Sequence, residues 1–332
     1  MTGNGVLFVG SIMVDVIAPV PRLPLSGQGV VAEGVVSRLG GCAFNSANIA
    51  RQLAGTRSLD NKGVCPIAPD EELRAMMPPA VELFAPVGKG PFAAFVREEL
   101  GARGMAAFSV PDAAVDSGAA LCLIEPDGER TMLTLPGIER CFEPAWFDLF
   151  EQAVDLNAFG SGNLCGYEAG SAGGGAMIAF FEAHPHLQLW FAPGPMLKTI
   201  DPATIDRINA LAPIWHLNEA EALSFTGEGD ITAAGSAISA RTGNATVITA
   251  GKDGCFVCFP DAPALHVPTT PVRPVDTIGA GDSHLGALMI ARADGYTWED
   301  ACALANRVSG AVCGIEGATL SDEQFAATGL HL

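Results

Sequence analysis

The residues with the strongest claim to chemistry lie together near the C-terminal end, in Asp276-Thr277-Ile278-Gly279-Ala280-Gly281-Asp282-Ser283-His284, directly before the apolar run Leu285, Ala287, Leu288, Met289 and Ile290. This pattern is a glycine-bearing turn that opens a helix. Such a turn presents backbone N–H groups with no intrahelical partner, and the helix dipole adds partial positive charge, so the spot suits an anion. An acid at the rim of a phosphate site can take the proton of an attacking hydroxyl, which makes Asp282 a candidate general base. The competing reading is local: Gly279 and Gly281 form a tight turn and Asp282 caps the helix. Spacing alone favours neither.

Three further groups follow strand-like runs. Asn218 and Glu221 come after Ile214-Trp215-His216-Leu217, and on local grounds they are an N-cap and its partner three residues on. Gly40-Gly41-Cys42-Ala43-Phe44-Asn45 opens a helix with Ile49, Ala50 and Leu53 at helical spacing, and its two glycines let a ligand approach the backbone. Asp15 lies just past the buried-type strand 6–10, where a dehydrogenase would carry Gly-x-Gly-x-x-Gly. Only Gly10 is present there, which disfavours a dinucleotide fold.

The segment Asp-Thr-x-Gly-Ala-Gly-Asp at 276–282 resembles the signature of the ribokinase (PfkB) family of carbohydrate kinases, and further motifs follow in family order from Asp15 to Asn306. The resemblance implies a ribokinase-like three-layer α/β/α fold with a central mostly parallel sheet and a small β lid. It implies ATP-dependent phosphoryl transfer to a hydroxyl of a small sugar. In that scheme Asp282 is the base, while Gly279, Ala280 and Gly281 offer N–H groups to the transferred phosphoryl. Asp15, Gly40, Gly41 and Asn45 hold the acceptor, and Asn218 with Glu221 organises Mg²⁺ through water. Thr249, Gly251 and Gly254 line the ATP site, with Asn306 near the nucleotide. Asp276 begins the loop beside which some members bind K⁺. Met13, Cys42, Lys89 and His284 depart from the commoner residues, and Cys42 in place of lysine argues against ribose itself. A nucleoside kinase of the same family and a catalytically silent sugar- or nucleotide-binding sensor are the alternatives.

The elements that must position these residues read as alternating strands and helices over one domain of 332 residues, with 49% apolar content. Strand-like runs fall at 81–88, 156–159, 187–191 and 245–249, and helices at 91–100, 176–183 and 303–312. The runs 119–124 and 131–134 flank Asp127-Gly128 as a hairpin. With 16–39, rich in proline and glycine, the segment 115–135 forms the expected lid. Residues 56–80 read as an insertion, with a short helix at 71–77.

A net charge of −19 excludes nucleic acid and anionic membranes as natural partners. No run reaches the ~18 apolar residues of a membrane span, and no leader pattern opens the chain, so a cytoplasmic location is expected. The nine cysteines are scattered among apolar neighbours and suit reduced thiols. Cys255 and Cys258 have no second pair, and His184 and His186 lack the spacing of a helix-borne metal pair. Exposed edges of a lid sheet would suit a homodimer.

Overall fold

The computed structural model of the protein describes residues 3–55, 79–110 and 113–332. Its larger sheet has eight strands in the order β14-β13-β12-β11-β10-β9-β1-β4. β1 (Gly5–Val9) pairs in parallel with β4 (Val81–Phe84) on one side and β9 (Phe159–Cys165) on the other. The parallel array continues through β10 (Gln188–Ala192), β11 (Ile214–Asn218) and β12 (Thr246–Thr249). β13 (Cys255–Cys258) and β14 (Leu265–Val267) add an antiparallel edge.

Every residue of β1 is buried, which requires helices on both faces. Its side chains divide accordingly. Val6 and Phe8 enter a core shared with helices Cys42–Ala54, Ala280–Ala293 and Trp298–Cys313, whereas Leu7 and Val9 enter a second core. That second core holds an aromatic group in which Phe84 stacks on Phe150 at 4.3 Å and meets Phe147 and Phe142 edge-on.

The smaller sheet has four strands in the order β3-β2-β7-β8, built from β2 (Met13–Pro19), β3 (Val36–Gly40), β7 (Ala119–Ile124) and β8 (Arg130–Leu135). The hairpin turns at Gly128, whose N–H donates to the Glu125 carbonyl. Its two feet are joined by one buried carboxylate: Glu139 accepts from Gly118 N–H and Gly137 N–H, each at 2.9 Å. Met132, Leu133 and Leu135 are exposed on β8. A third, two-stranded sheet pairs β5 (Pro86–Val87) with β6 (Phe108–Ser109).

Two elements differ from the sequence reading. The run 81–88 divides between two sheets at Ala85-Pro86, where proline cannot donate to a continuing ladder. Leu156–Ala158 form a 3₁₀ turn, opened by Asp155 accepting the Asn157 N–H, and the strand begins only at Phe159. Most of the expected insertion, including its helix at 71–77, lies outside the described residues. The helices at 91–100, 176–183 and 303–312 are present, the last extended to Trp298–Cys313.

Candidate active site

The C-terminal ends of the parallel strands gather the candidate residues at one edge of the sheet, the usual ligand edge of such folds. Helix Ala280–Ala293 begins there without a side-chain cap; its N-cap is Gly279, at φ 74°. A Cβ at Gly279 would also stand 2.3 Å from the Ala318 carbonyl oxygen, so the turn needs glycine for both conformation and space. Ala280 N–H is occupied by the Thr277 carbonyl and Ser283 N–H by that of Gly279. Among the described residues, the N–H groups of Gly281 and Asp282 have no acceptor in the loop. They point the helix's positive end at the cleft.

Asp282 does not cap its own helix. Its Oδ2 accepts from Asn45 Nδ2 at 2.8 Å, and Ser46 Oγ donates to its carbonyl at 2.9 Å. The helix opened by Gly40-Gly41 is therefore fastened to the helix opened by the signature turn. Burial raises the Asp282 pKa, while Asn45 and the Cys42 thiol oppose the shift. Asp15 is raised to about 6 by burial first, then by the charges of Asp282 and Asp276. It lies over Gly40, where a Cβ would be 2.2 Å from its Oδ2. Asn45 Oδ1 is buried without a hydrogen-bond partner. The cluster thus holds two carboxylates whose pKa values burial raises and one unspent acceptor atom.

The nucleotide-side candidates are arranged differently. Asn218 and Glu221 form a complete capping box, Asn218 Oδ1 accepting from Glu221 N–H at 2.8 Å and Glu221 Oε2 from Asn218 N–H at 3.0 Å. Glu221 Oε1 makes no hydrogen bond among the described residues, and the Glu221 pKa is raised chiefly by burial, with Asp282 adding to it. Thr249 donates to the Leu217 carbonyl, and Gly251 and Gly254 bracket a 3₁₀ turn after β12. Asn306 is not on the helix surface. It is buried, with Nδ2 donating to the Val267 carbonyl at 3.0 Å.

The same amide explains His284. Asn306 Oδ1 can only accept, so His284 Nε2, 3.2 Å away, donates to it. With that proton on Nε2, Nδ1 of His284 can accept, and His216 Nε2 donates to it at 2.9 Å. One tautomer satisfies the buried chain from β11 to β14. Burial, then the neighbouring His284, holds the His216 pKa well below its ordinary value, so the His216 ring stays uncharged.

Asp276 is the most heavily engaged candidate. Oδ1 accepts from Ile278 N–H at 2.9 Å and pairs with Arg130, and Oδ2 accepts from Gly317 N–H at 2.9 Å. Burial pushes its pKa up, but Arg130 and the two N–H groups outweigh this and hold it below the ordinary value. Each oxygen of this carboxylate thus already has a protein partner, and Oδ1 has two.

The chain matches the model of the pfkB family carbohydrate kinases over residues 4–324. It belongs to that family. As a pfkB kinase it uses ATP, and its similarities extend along the whole chain. It is 29% identical over 320 residues to YegV, an uncharacterised sugar kinase of Escherichia coli, covering 95% of this chain and 90% of that one. Ribokinase of Arabidopsis thaliana, solved with ribose and ATP, superposes with a TM-score of 0.72 at 18% identity, over 98% of both chains. The nucleoside kinase of Burkholderia thailandensis, solved with inosine, gives a TM-score of 0.70 at 19% identity, over 97% of this chain and 95% of that one. These likenesses establish the ribokinase fold, with its mostly parallel sheet between helices.

Two participants had no local sequence signal. Arg130 reads only as the end of the hairpin's turn segment, and its contact with Asp276 exists only once the smaller sheet folds over the body. Glu168 is wholly buried, accepts the Ser11 N–H at 2.8 Å after β1, and leaves Oε2 without a partner. Burial raises its pKa to about 7. Cys255 and Cys258, three apart in a strand, face opposite sides, and no group of three metal-ligating side chains occurs among the described residues.

Proposed function

We propose that this pfkB kinase transfers the γ-phosphoryl of ATP to a hydroxyl of a small neutral sugar, with Asp282 as the general base. The observation that carries the proposal is the 2.8 Å contact between Asn45 and Asp282, which sets the carboxylate between the acceptor helix and the free N–H groups of Gly281 and Asp282. Asp15 and the unpartnered Asn45 Oδ1 accept hydrogen bonds from acceptor hydroxyls, with Gly40 and Gly41 giving close backbone approach. Asp282 removes the proton from the reacting hydroxyl as its oxygen attacks phosphorus. The turn's N–H groups then meet the charge that gathers on the phosphoryl oxygens.

Thr249, Gly251 and Gly254 receive the nucleotide through backbone and small side chains. Mg²⁺ fits the free Glu221 Oε1, since that ion keeps waters and needs few protein carboxylates beside phosphates. When bound, it supplies charge neutralisation between the phosphates. No step uses K⁺. The smaller sheet acts as the lid that keeps water from the phosphoryl group. A second copy covers its exposed apolar strand β8, giving a homodimer in the cytoplasm; sedimentation would report a monomer if this is wrong. No helix among the described residues is long and apolar enough to cross a membrane.

The test is ADP release with ATP and Mg²⁺ over a panel of sugars, sugar acids and nucleosides, with Asp282→Asn alongside. A sugar acceptor whose phosphorylation depends on Asp282 supports the reading. A nucleoside acceptor would move the chain to the nucleoside kinases of the family. ATP binding with no transfer to any acceptor would leave the sensor reading instead.

A further inference from the structure

The two edge strands of the smaller sheet, β3 and β8, each deliver one arginine to the same stretch of the body. From β8, Arg130 pairs with Asp276; from β3, Arg38 donates Nη1–H to the Glu316 carbonyl. The arginine at 130 keeps 23% of its side chain exposed while its partner Asp276 keeps 4%, so the carboxylate depends on this guanidinium for its charge balance. Asp276 passes the contact on, because its second oxygen accepts from Gly317 N–H. Arg38 reaches the same residue: a Cβ on Gly317 would be 2.6 Å from its Nη1.

The next residue, Ala318, lies directly behind Gly279 in the signature turn. A continuous line of packed groups therefore runs from both edges of the small sheet through 316–318 to the turn that opens the Asp282 helix. Between sheet and body lies a cavity bounded by Asp15, Ile17, Met132, Arg130, Asp276 and Gly317. The ion pair forms part of the wall of the acceptor region, beside Asp15.

We propose that Arg130 and Arg38 are positioning residues that make seating of the small sheet and setting of the Gly279 turn a single event. When the sheet is seated, the two guanidinium groups fix Asp276 and the 316–317 backbone, and Ala318 holds the turn in place. When the sheet lifts, both holds are lost together and the N–H cradle loses its backing. The cradle is then complete only when water is shut out, which suppresses loss of the phosphoryl group to water. An acceptor that bridges Asp15 on the sheet and Asn45 or Asp282 on the body strengthens the seated state by population shift.

The experiment is hydrogen exchange of the full chain without ligands, comparing wild type with Arg130→Gln, Arg38→Gln and Arg130→Lys. Both glutamine variants should raise exchange together in the hairpin 119–135 and at the Ile278 and Gly317 amides, by roughly ten-fold for a half-buried charge pair, and lysine at 130 should restore most of the protection. Faster exchange in the hairpin with those two amides unchanged would overturn the proposal. So would faster exchange spread through the eight-stranded sheet, because that pattern reports a weakened fold.

A second arm rests on the kinase reading above. With an acceptor in hand, Arg130→Gln should raise the acceptor KM several-fold more than it lowers kcat, and raise ADP release without acceptor relative to transfer; an unchanged ratio contradicts the coupling. If wild type phosphorylates nothing, the kinase reading fails, and the exchange arm still decides the coupling.

Discussion

The acceptor and nucleotide sides of the cleft handle their polar groups in opposite ways. On the acceptor side, Asn45 Oδ1 is unpartnered and Asp15 and Asp282 both have raised pKa values. On the nucleotide side, Asn218 is spent on a capping box, Thr249 on the Leu217 carbonyl, and Asn306 on His284 and Val267. An unspent buried polar group costs free energy until a ligand meets it. The acceptor side is therefore built to be completed by hydroxyl groups, while the nucleotide side offers shape, backbone and one free carboxylate oxygen.

The largest expected effect tests that division directly. Asp282→Asn should lower kcat about a thousand-fold with little change in the KM for ATP, whereas Glu221→Gln should act mainly through the Mg²⁺ dependence. Steady-state ADP release at several Mg²⁺ concentrations separates them, and equal losses from the two variants would erase the contrast.

Gly279→Ala comes next. It forces an alanine to φ 74° and places a methyl group 2.3 Å from the Ala318 oxygen, so the turn must shift. A fall in kcat of roughly a hundred-fold is expected, as for loss of a backbone donor to developing charge. Near-normal single-turnover rates would show that the N–H groups do not stabilise the transferred phosphoryl.

A third prediction concerns stability behind the acceptor helix. The buried Glu168 has its pKa raised to about 7. The folded protein therefore holds this proton more tightly than the unfolded chain, and stability falls as pH rises from about 4.5 through about 7, then levels off. Glu168→Gln keeps an acceptor for the Ser11 N–H and removes the ionisation, so it should add on the order of 2 kcal/mol at pH 8. Melting temperatures across pH 5 to 8 measure it. Glu82, also raised to about 7 by burial, should preserve part of the slope.

The smallest effect is on binding. Ionised Asp15 accepts hydroxyl hydrogen bonds more strongly than its protonated form, and burial raises its pKa to about 6, so the acceptor KM should fall roughly ten-fold between about pH 5 and pH 7. Asp15→Asn should flatten that profile. A profile unchanged by the substitution would assign the titration elsewhere.

How much was legible beforehand depended on the range of the interaction. The turn 276–282, the Gly40-Gly41 opening, the capping box of Asn218 and Glu221, and the hairpin at Gly128 are each set within a few residues, by steric freedom and by orphan N–H groups at helix starts. They could be read from spacing, and the order of motifs then identified the family. The apolar run of β1 likewise fixed a strand covered on both faces. Local pattern failed at Leu156–Ala158, where an Asp155 turn outweighs an apolar run, and at Ala85-Pro86, where one proline divides a run between two sheets.

The contacts that give the site its character are long-range. Asn45 meets Asp282, Arg130 meets Asp276, and His216 meets His284 only after the strands have assembled. Charge state follows the same rule, because desolvation depends on what packs around a carboxylate and no neighbour in sequence supplies that packing. The sequence by itself determined which chemical groups the protein carries and which turns present them. Tertiary structure decided which groups are already satisfied and which are left for a ligand, since burial and partnership are properties of the packed interior.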